Sequence, residues 1–271
     1  MLGGSPANVA YHAALLGAPA SLISRVGADV LGRHATLQLS ASGVDTRWVQ
    51  IDTQLPTGKV RVESHQHQPS YSIATPAAWD AIEAMPTHLP RGATDVFCFG
   101  TLAARSERSR ATLTRMLQHL DHLPAKERPW RFLDLNLRPP YCDLGAIQTN
   151  LRYAEIVKLN DEELHWLEQQ VGHGNGLEYL LGRHQVRWVI VTHGSGGATL
   201  YGHALRVHAA SSLASGGDTV GAGDAFVAAF AVQLTRGQKP PCALSAANRY
   251  AGWVASERGA MPKKNTRTPK V

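Results

Sequence analysis

A chain of 271 residues, 44% hydrophobic and only 18% charged, has apolar side chain enough for one large core and is not composed like a disordered protein. Its net charge of +6 invites an anionic partner, but Arg258, Lys263, Lys264, Arg267 and Lys270 crowd the C-terminal end as a solvated basic tail, with no interleaved aromatics to stack on nucleic-acid bases. Three cysteines without CxxC spacing (Cys98, Cys142, Cys242), no long uninterrupted apolar run and no basic leader argue for reduced thiols in a cytoplasmic protein, without membrane span or secretory signal.

Residues 8–16, NVAYHAALL, have helical periodicity, with Pro6 and Asn8 near the start and Gly17 as the stop. ASLISRVG (20–27) predicts one strand, ATLQLSASG (35–43) a helix ending at Gly43, and VDTRWVQI (44–51) an extended segment. TGKVRVESHQHQPSYSIATP (57–76) switches to period two around a polar turn, which predicts a hairpin inserted as a flap. Alternation then resumes: strand 95–100, helix 108–123, strand 130–136, helix 143–154, strand 155–160, and helix 161–171 opening on carboxylates. Strand 186–194 and an antiparallel pair at 197–202 and 205–210 follow. Apolar strands alternating with helices predict an α/β fold, a mostly parallel sheet covered on both faces.

In such sheets ligands bind where strands end and helices begin. The most informative junction is SGGDTVGAGDAF (215–226), where Gly221 and Gly223 precede Asp224 and an apolar run. A helix N-terminus offers free amides and a positive dipole end to phosphate, and glycines let backbone approach an anion. A carboxylate there, read as the first helical residue, serves either as a cap or as a handler of a proton or cation. Capping does not account for Asp218, Thr219 and the glycine pair. LDLNLRPP places Asp134, Asn136 and Arg138 at alternate positions leaving a strand, expected to project to one side and to suit a polyol or phosphate. In KLNDEEL, Glu163 either favours the helix dipole or organises Mg²⁺ through water beside Asn160. The Walker pattern fails at Thr53, the glycines near 194 open no helix, and His65, His67, His119 and His122 read as surface histidines, not zinc ligands.

Together these residues resemble the ribokinase-like, PfkB-type sugar kinases, in their fructokinase-like branch. GGSPANVAYHAALLGAPASLISRVGADVLG (3–32) is similar to the family's N-terminal signature and DTVGAGDAF (218–226) to its C-terminal one. TGKVRV, PAAWDAI, FGTLAARSERSR, DLNLRPP, KLNDEEL and VTHGSGG fall between them in the family's order. The resemblance implies a three-layer α/β/α sandwich, with a core over residues 1–54 and 77–271 and a small β lid at 55–76. It implies transfer of the γ-phosphate of ATP, with Mg²⁺, to a sugar hydroxyl, and no nucleic-acid or membrane partner. By resemblance Asp224 is the base, and the amides of Gly221, Ala222 and Gly223 form the anion hole. Asn160, Thr192, Gly194 and Asn248 lie by the nucleotide, and Glu163 arranges Mg²⁺ through water. Asp218 and Val220 belong to a monovalent-cation site for K⁺, and Gly3, Gly4, Asn8 and Arg138 meet the sugar. The family's usual strand before the GG pair, a strand of the central sheet with a sugar-binding aspartate, is not found ahead of Gly3 and Gly4, as expected either of a start assigned too late or of a truncated product. Fructose is the expected sugar, with 2-keto-3-deoxygluconate or an impaired, nucleotide-binding homologue as alternatives, and the lid is the expected surface for a homodimer.

Overall fold

The computed structural model describes residues 2–65, 68–83, 94–172, 174–183, 185–211, 219–269 and 271. His67, Asp218 and Lys270, singled out above, lie outside them. The chain opens with α1 (Ser5–Leu15), which has Gly4 as N-cap and Pro6 in its first turn, where a missing N–H costs nothing. The expected first strand breaks in two. β1 (Ala20–Ser21) and β2 (Ser24–Gly27) are followed by α2 (Val30–Ala41), β3 (Val44–Asp45) and β4 (Val49–Asp52). β1 pairs in parallel with β3, and β2 with β4, so the two halves of ASLISRVG belong to different small sheets. α2 starts ahead of the apolar run that suggested it, because the Asp29 carboxylate accepts from the Gly32 amide at 2.8 Å and caps the helix. β5 (Val60–His65) and β6 (Gln68–Ile73) form the expected antiparallel hairpin.

The central sheet is built from β7 (Val96–Gly100), β8 (Trp130–Asp134), β9 (Ile156–Asn160), β10 (Trp188–Thr192), β11 (Ala198–Gly202) and β12 (Leu205–Ala209). Its order is β12-β11-β10-β9-β8-β7, with β7 to β10 parallel and β11 and β12 antiparallel. Between the strands run α3 (Glu107–Asp121), α4 (Leu144–Leu151), α5 (Asp161–Val171) and α6 (Gly176–Arg183); α7 (Ala222–Thr235) and α8 (Pro240–Ser256) close the described order. Alternate residues of the parallel strands feed two cores. Phe132, Ile156 and Ile190 face Phe226 and Phe230 of α7 and Tyr250 of α8. Leu133, Val157, Val189 and Val191 face Leu117, Ile147, Leu167 and Leu180 on the other side. The result is a three-layer α/β/α sandwich.

α7 is buried without a break from Ala225 to Leu234, so packing fixes the helix from its fourth residue onward. Burying one such phenylalanine contributes about 2–3 kcal/mol. α1 packs on α7, on β7, and on β1 and β3, joining the edge of the large sheet to the small one. Among the described residues no helix is long and apolar enough to cross a membrane.

Candidate active site

The carboxyl ends of β8 and β9 meet the N-terminal turns of α1 and α7. Gly221, with φ at +83°, is the N-cap of α7, so Asp224 is the third residue of that helix and neither its cap nor its first residue. The glycine is required there on two counts. Its φ disfavours any side chain, and a Cβ would lie 2.6 Å from Ala260 Cβ. Ala260 is held in turn by His12, which is fully buried and which burial keeps neutral by lowering its pKa. With Ala260 O as acceptor at 2.9 Å, His12 Nε2 carries the proton, and Nδ1 accepts from the Tyr250 hydroxyl at 3.1 Å. The amide of Ala222 donates to Thr219 O at 3.1 Å, while helix geometry leaves the other first-turn amides without intrahelical partners.

Gly221, Ala222, Gly223 and Asp224 are all half-buried, so the turn stays open to solvent. Asn8, buried on α1, donates through Nδ2 to Asp224 Oδ2 at 2.6 Å. The Asn8 Oδ1 atom is buried without a hydrogen-bond partner. A buried acceptor left unmade costs about 1–3 kcal/mol, which a ligand hydroxyl would recover. Gly4 caps the helix that carries Asn8, and Gly3 is exposed beside it.

Beyond Asp134 the strand alternation ends. Asn136 takes φ of +42°, so Asp134, Asn136 and Arg138 do not project to one side as expected. Asp134 is buried against Lys158; Arg138 is half-buried and donates through Nη1 to Leu137 O at 3.0 Å. Burial pushes the Asp134 carboxyl up to about 6 against the pull of Lys158, and Glu163 and Asp224 add to the rise. Burial works against the Lys158 ammonium, but Asp134, Glu163 and Asp224 outweigh it and raise its pKa.

Glu163 and Asn160 form a reciprocal cap on α5, with Glu163 Oε2 accepting from the Asn160 amide and Asn160 Oδ1 from the Glu163 amide. Glu163 Oε1 also accepts from the Leu137 amide at 2.8 Å, tying the exit of β8 to α5. Asp134 Oδ2 is buried without a partner, and among the described residues no cluster of three His, Cys, Asp or Glu could cage a metal. That donor set fits a magnesium ion brought by the phosphates with water in its shell, which Glu163 would reach through water.

Thr192 ends β10 and Gly194 lies just beyond it, half-buried and exposed respectively. Between them His193 contacts Asp161 Oδ1 at 2.7 Å and Thr199 Oγ1 at 2.9 Å, locking this turn to the start of α5. Asn248 donates to Ala209 O and Ala210 O, bracing the end of β12. Val220 is half-buried next to the α7 cap; its partner in the expected cation site, Asp218, is outside the described residues. Sequence reading missed Lys158 and His193. Lys158 had a visible signal, a lone charge inside the apolar strand EIVKLN, whereas nothing local marked His193.

The family model of pfkB family carbohydrate kinases matches residues 1–267. The chain belongs to that family. This PfkB kinase is 28% identical over 250 residues to the sugar kinase PH1459 of Pyrococcus horikoshii, covering 86% of this chain and 73% of the relative. It is 30% identical over 236 residues to a fructokinase of Klebsiella pneumoniae, covering 83% and 74%. The solved structure of PH1459 in complex with ATP superposes with a TM-score of 0.82 at 27% identity, over 96% of this chain and 84% of that one. The Vibrio cholerae fructokinase structure with fructose, ADP and calcium shares the fold, with a TM-score of 0.80 at 23% identity over 96% and 87%. This PfkB member is therefore a sugar kinase, a phosphotransferase on the ribokinase-like fold.

Proposed function

We propose that the protein transfers the γ-phosphate of ATP to a primary hydroxyl of a monosaccharide, fructose foremost, with Asp224 as the base. One observation carries this reading: the half-buried Asp224 carboxylate shares a helix turn with Gly221 to Gly223 and is oriented by Asn8, whose own buried oxygen lacks a donor. A sugar hydroxyl set between Asp224 and Asn8 satisfies that oxygen through a neighbouring hydroxyl. As the reacting oxygen bonds to the γ-phosphorus, its proton passes to Asp224, and the bond to the β-phosphate oxygen breaks with its electron pair leaving on ADP. The protein's share is alignment and charge stabilisation by helix-terminal amides, since phosphoryl transfer asks little covalent chemistry of it. A magnesium ion on the phosphates would neutralise part of their charge, with Glu163 as its acceptor through water. Thr192 and Gly194 line the nucleotide side, Asn248 supports the adenine end, and Gly3, Gly4 and Arg138 border the sugar.

The 55–76 hairpin acts as a lid that keeps water from the transferring group, over a core of 1–54 and 77–271. A cytoplasmic enzyme, paired through its lids, is part of the same reading; K⁺ at Asp218 and Val220 rests on the family resemblance alone. A second reading keeps the chemistry and changes the sugar: Arg138, half-buried at the exit of β8, suits the carboxylate of 2-keto-3-deoxygluconate. An impaired homologue would bind ATP without releasing ADP. A panel of sugars at fixed Mg-ATP, read by coupled ADP release, separates the three. Asp224→Asn is expected to lower kcat by about a hundredfold or more with ATP affinity unchanged. Near-normal turnover of that variant overturns the assignment of the base, and turnover with the keto-acid alone overturns fructose.

A further inference from the structure

Parallel strands covered on both faces are apolar along their length, and β9 keeps to this at Ile156, Val157 and Leu159. Lys158 breaks the rule. Its Cα is paired with that of Asp134 in the β8–β9 register, so the two side chains stand side by side. Alternation places them on the face that Phe132 and Ile156 turn toward α7. Lys158 Nζ donates to Asp134 Oδ1 at 3.0 Å, and the residues are only 6% and 5% exposed. The mutual attraction of a buried ion pair rarely repays the loss of water in full, so stability alone is a poor reason to keep this one.

The ammonium lies directly beneath the phosphate cradle. A Cβ on Gly223 would come within 3.1 Å of Lys158 Nζ. Glycine at 223 thus leaves room for a cation from within the protein, besides baring its backbone to a ligand. The same ammonium interacts with Asp134, Glu163 and Asp224, three carboxylates to one cation. A phosphoryl group arriving at the first turn of α7 faces that acidic surround with only the partial charge of a helix end in its favour.

We propose that Lys158, fixed by Asp134, is a positioning residue of the phosphoryl cradle: its ammonium behind Gly223 supplies the preorganised positive charge with which the first turn of α7 holds the terminal phosphoryl group of ATP beside Asp224. This rests on the reading of residues 221–224 as the phosphoryl-transfer site. A fixed charge in a water-poor site needs no reorganisation as charge develops on the transferring group, so its effect falls on the γ-phosphate and the transition state rather than on adenine or ribose.

The test compares Lys158→Met, the double variant Asp134→Leu with Lys158→Met, and Asp224→Asn. Each is titrated calorimetrically with Mg-ADP and with Mg-β,γ-imido-ATP and assayed for turnover. Lys158→Met is expected to bind ADP within about twofold of the parent and imido-ATP on the order of tenfold more weakly, with kcat down on the order of a hundredfold. The double variant leaves no unpaired buried charge; it is expected to recover thermal stability but neither kcat nor imido-ATP affinity. Should Lys158→Met fail to fold, the double variant carries the test alone. A folded double variant with parental kcat and parental discrimination between the two nucleotides overturns the proposal. Loss of turnover in Asp224→Asn alongside that result leaves the underlying site reading standing, whereas retained turnover in Asp224→Asn overturns the reading itself.

Discussion

Replacing Gly221 by alanine tests how the cradle is held. A methyl group there would meet Ala260 Cβ at 2.6 Å, Ala260 Cα at 2.7 Å and Ala260 O at 3.1 Å, on a residue with φ of +83°. Left-handed backbone costs a non-glycine residue about 1–2 kcal/mol. Overpacking against main chain adds about 1–3 kcal/mol, because His12 ties Ala260 down and it cannot swing aside. A loss of about 2–5 kcal/mol is a large part of a typical stability of about 5–15 kcal/mol, so the variant folds but melts about 5–15 °C lower. Gly223→Ala is the contrasting case. Residue 223 is helical, so alanine there gains up to about 1 kcal/mol of propensity, and the added methyl meets only the end of the Lys158 side chain at 3.1 Å. Its melting temperature is expected to stay near the parent's while turnover falls on the order of tenfold or more. Thermal unfolding followed by far-UV circular dichroism, with turnover measured in parallel, reads both. A Gly221→Ala variant that melts with the parent would refute the reasoning about backbone and Ala260.

Asn8→Ala removes the donor to Asp224 and the unpaired oxygen together. The kcat/KM for sugar should drop about tenfold to a hundredfold with the KM for ATP little changed, in steady-state assays that vary each substrate in turn. Acid stability offers a second check at Asp29, whose carboxyl is held down to about 2 by the Thr57 amide, then the Gly32 amide and the Thr57 hydroxyl. Because its pKa is lower folded than unfolded, the stability it contributes is present above its ordinary value and lost as pH falls through the folded one. Between about pH 5 and pH 2, Asp29→Asn should therefore lose less melting temperature than the parent, and parallel losses would count against this capping account.

Much of the architecture was legible because local chemistry agreed with the final packing. α5 matches the expected 161–171 span because Asn160 and Glu163, three residues apart, mark a reciprocal cap in the sequence itself. The DTVGAGDAF junction showed its glycines and carboxylate in order, although not that Asp224 is the third residue of the helix rather than its first. ASLISRVG failed for a non-local reason: its halves pair with Val44–Asp45 and Val49–Asp52, partners no window around residue 23 contains. The alternation drawn through Asp134, Asn136 and Arg138 failed at one left-handed residue, which asparagine tolerates and sequence does not announce. Lys158 was visible as an anomaly, but its meaning needed the register that sets it against Asp134 and beneath Gly223.

The Asn8–Asp224 contact spans 216 positions of the chain. During synthesis, then, the ribosome releases the first half of this hydrogen-bonded pair long before the second exists. α1 emerges with the face that packs on α7 still bare, and that face is covered only once α7 has followed it. A nascent chain halted short of α7 leaves α1 without the helix it packs on, its apolar face open to other contacts.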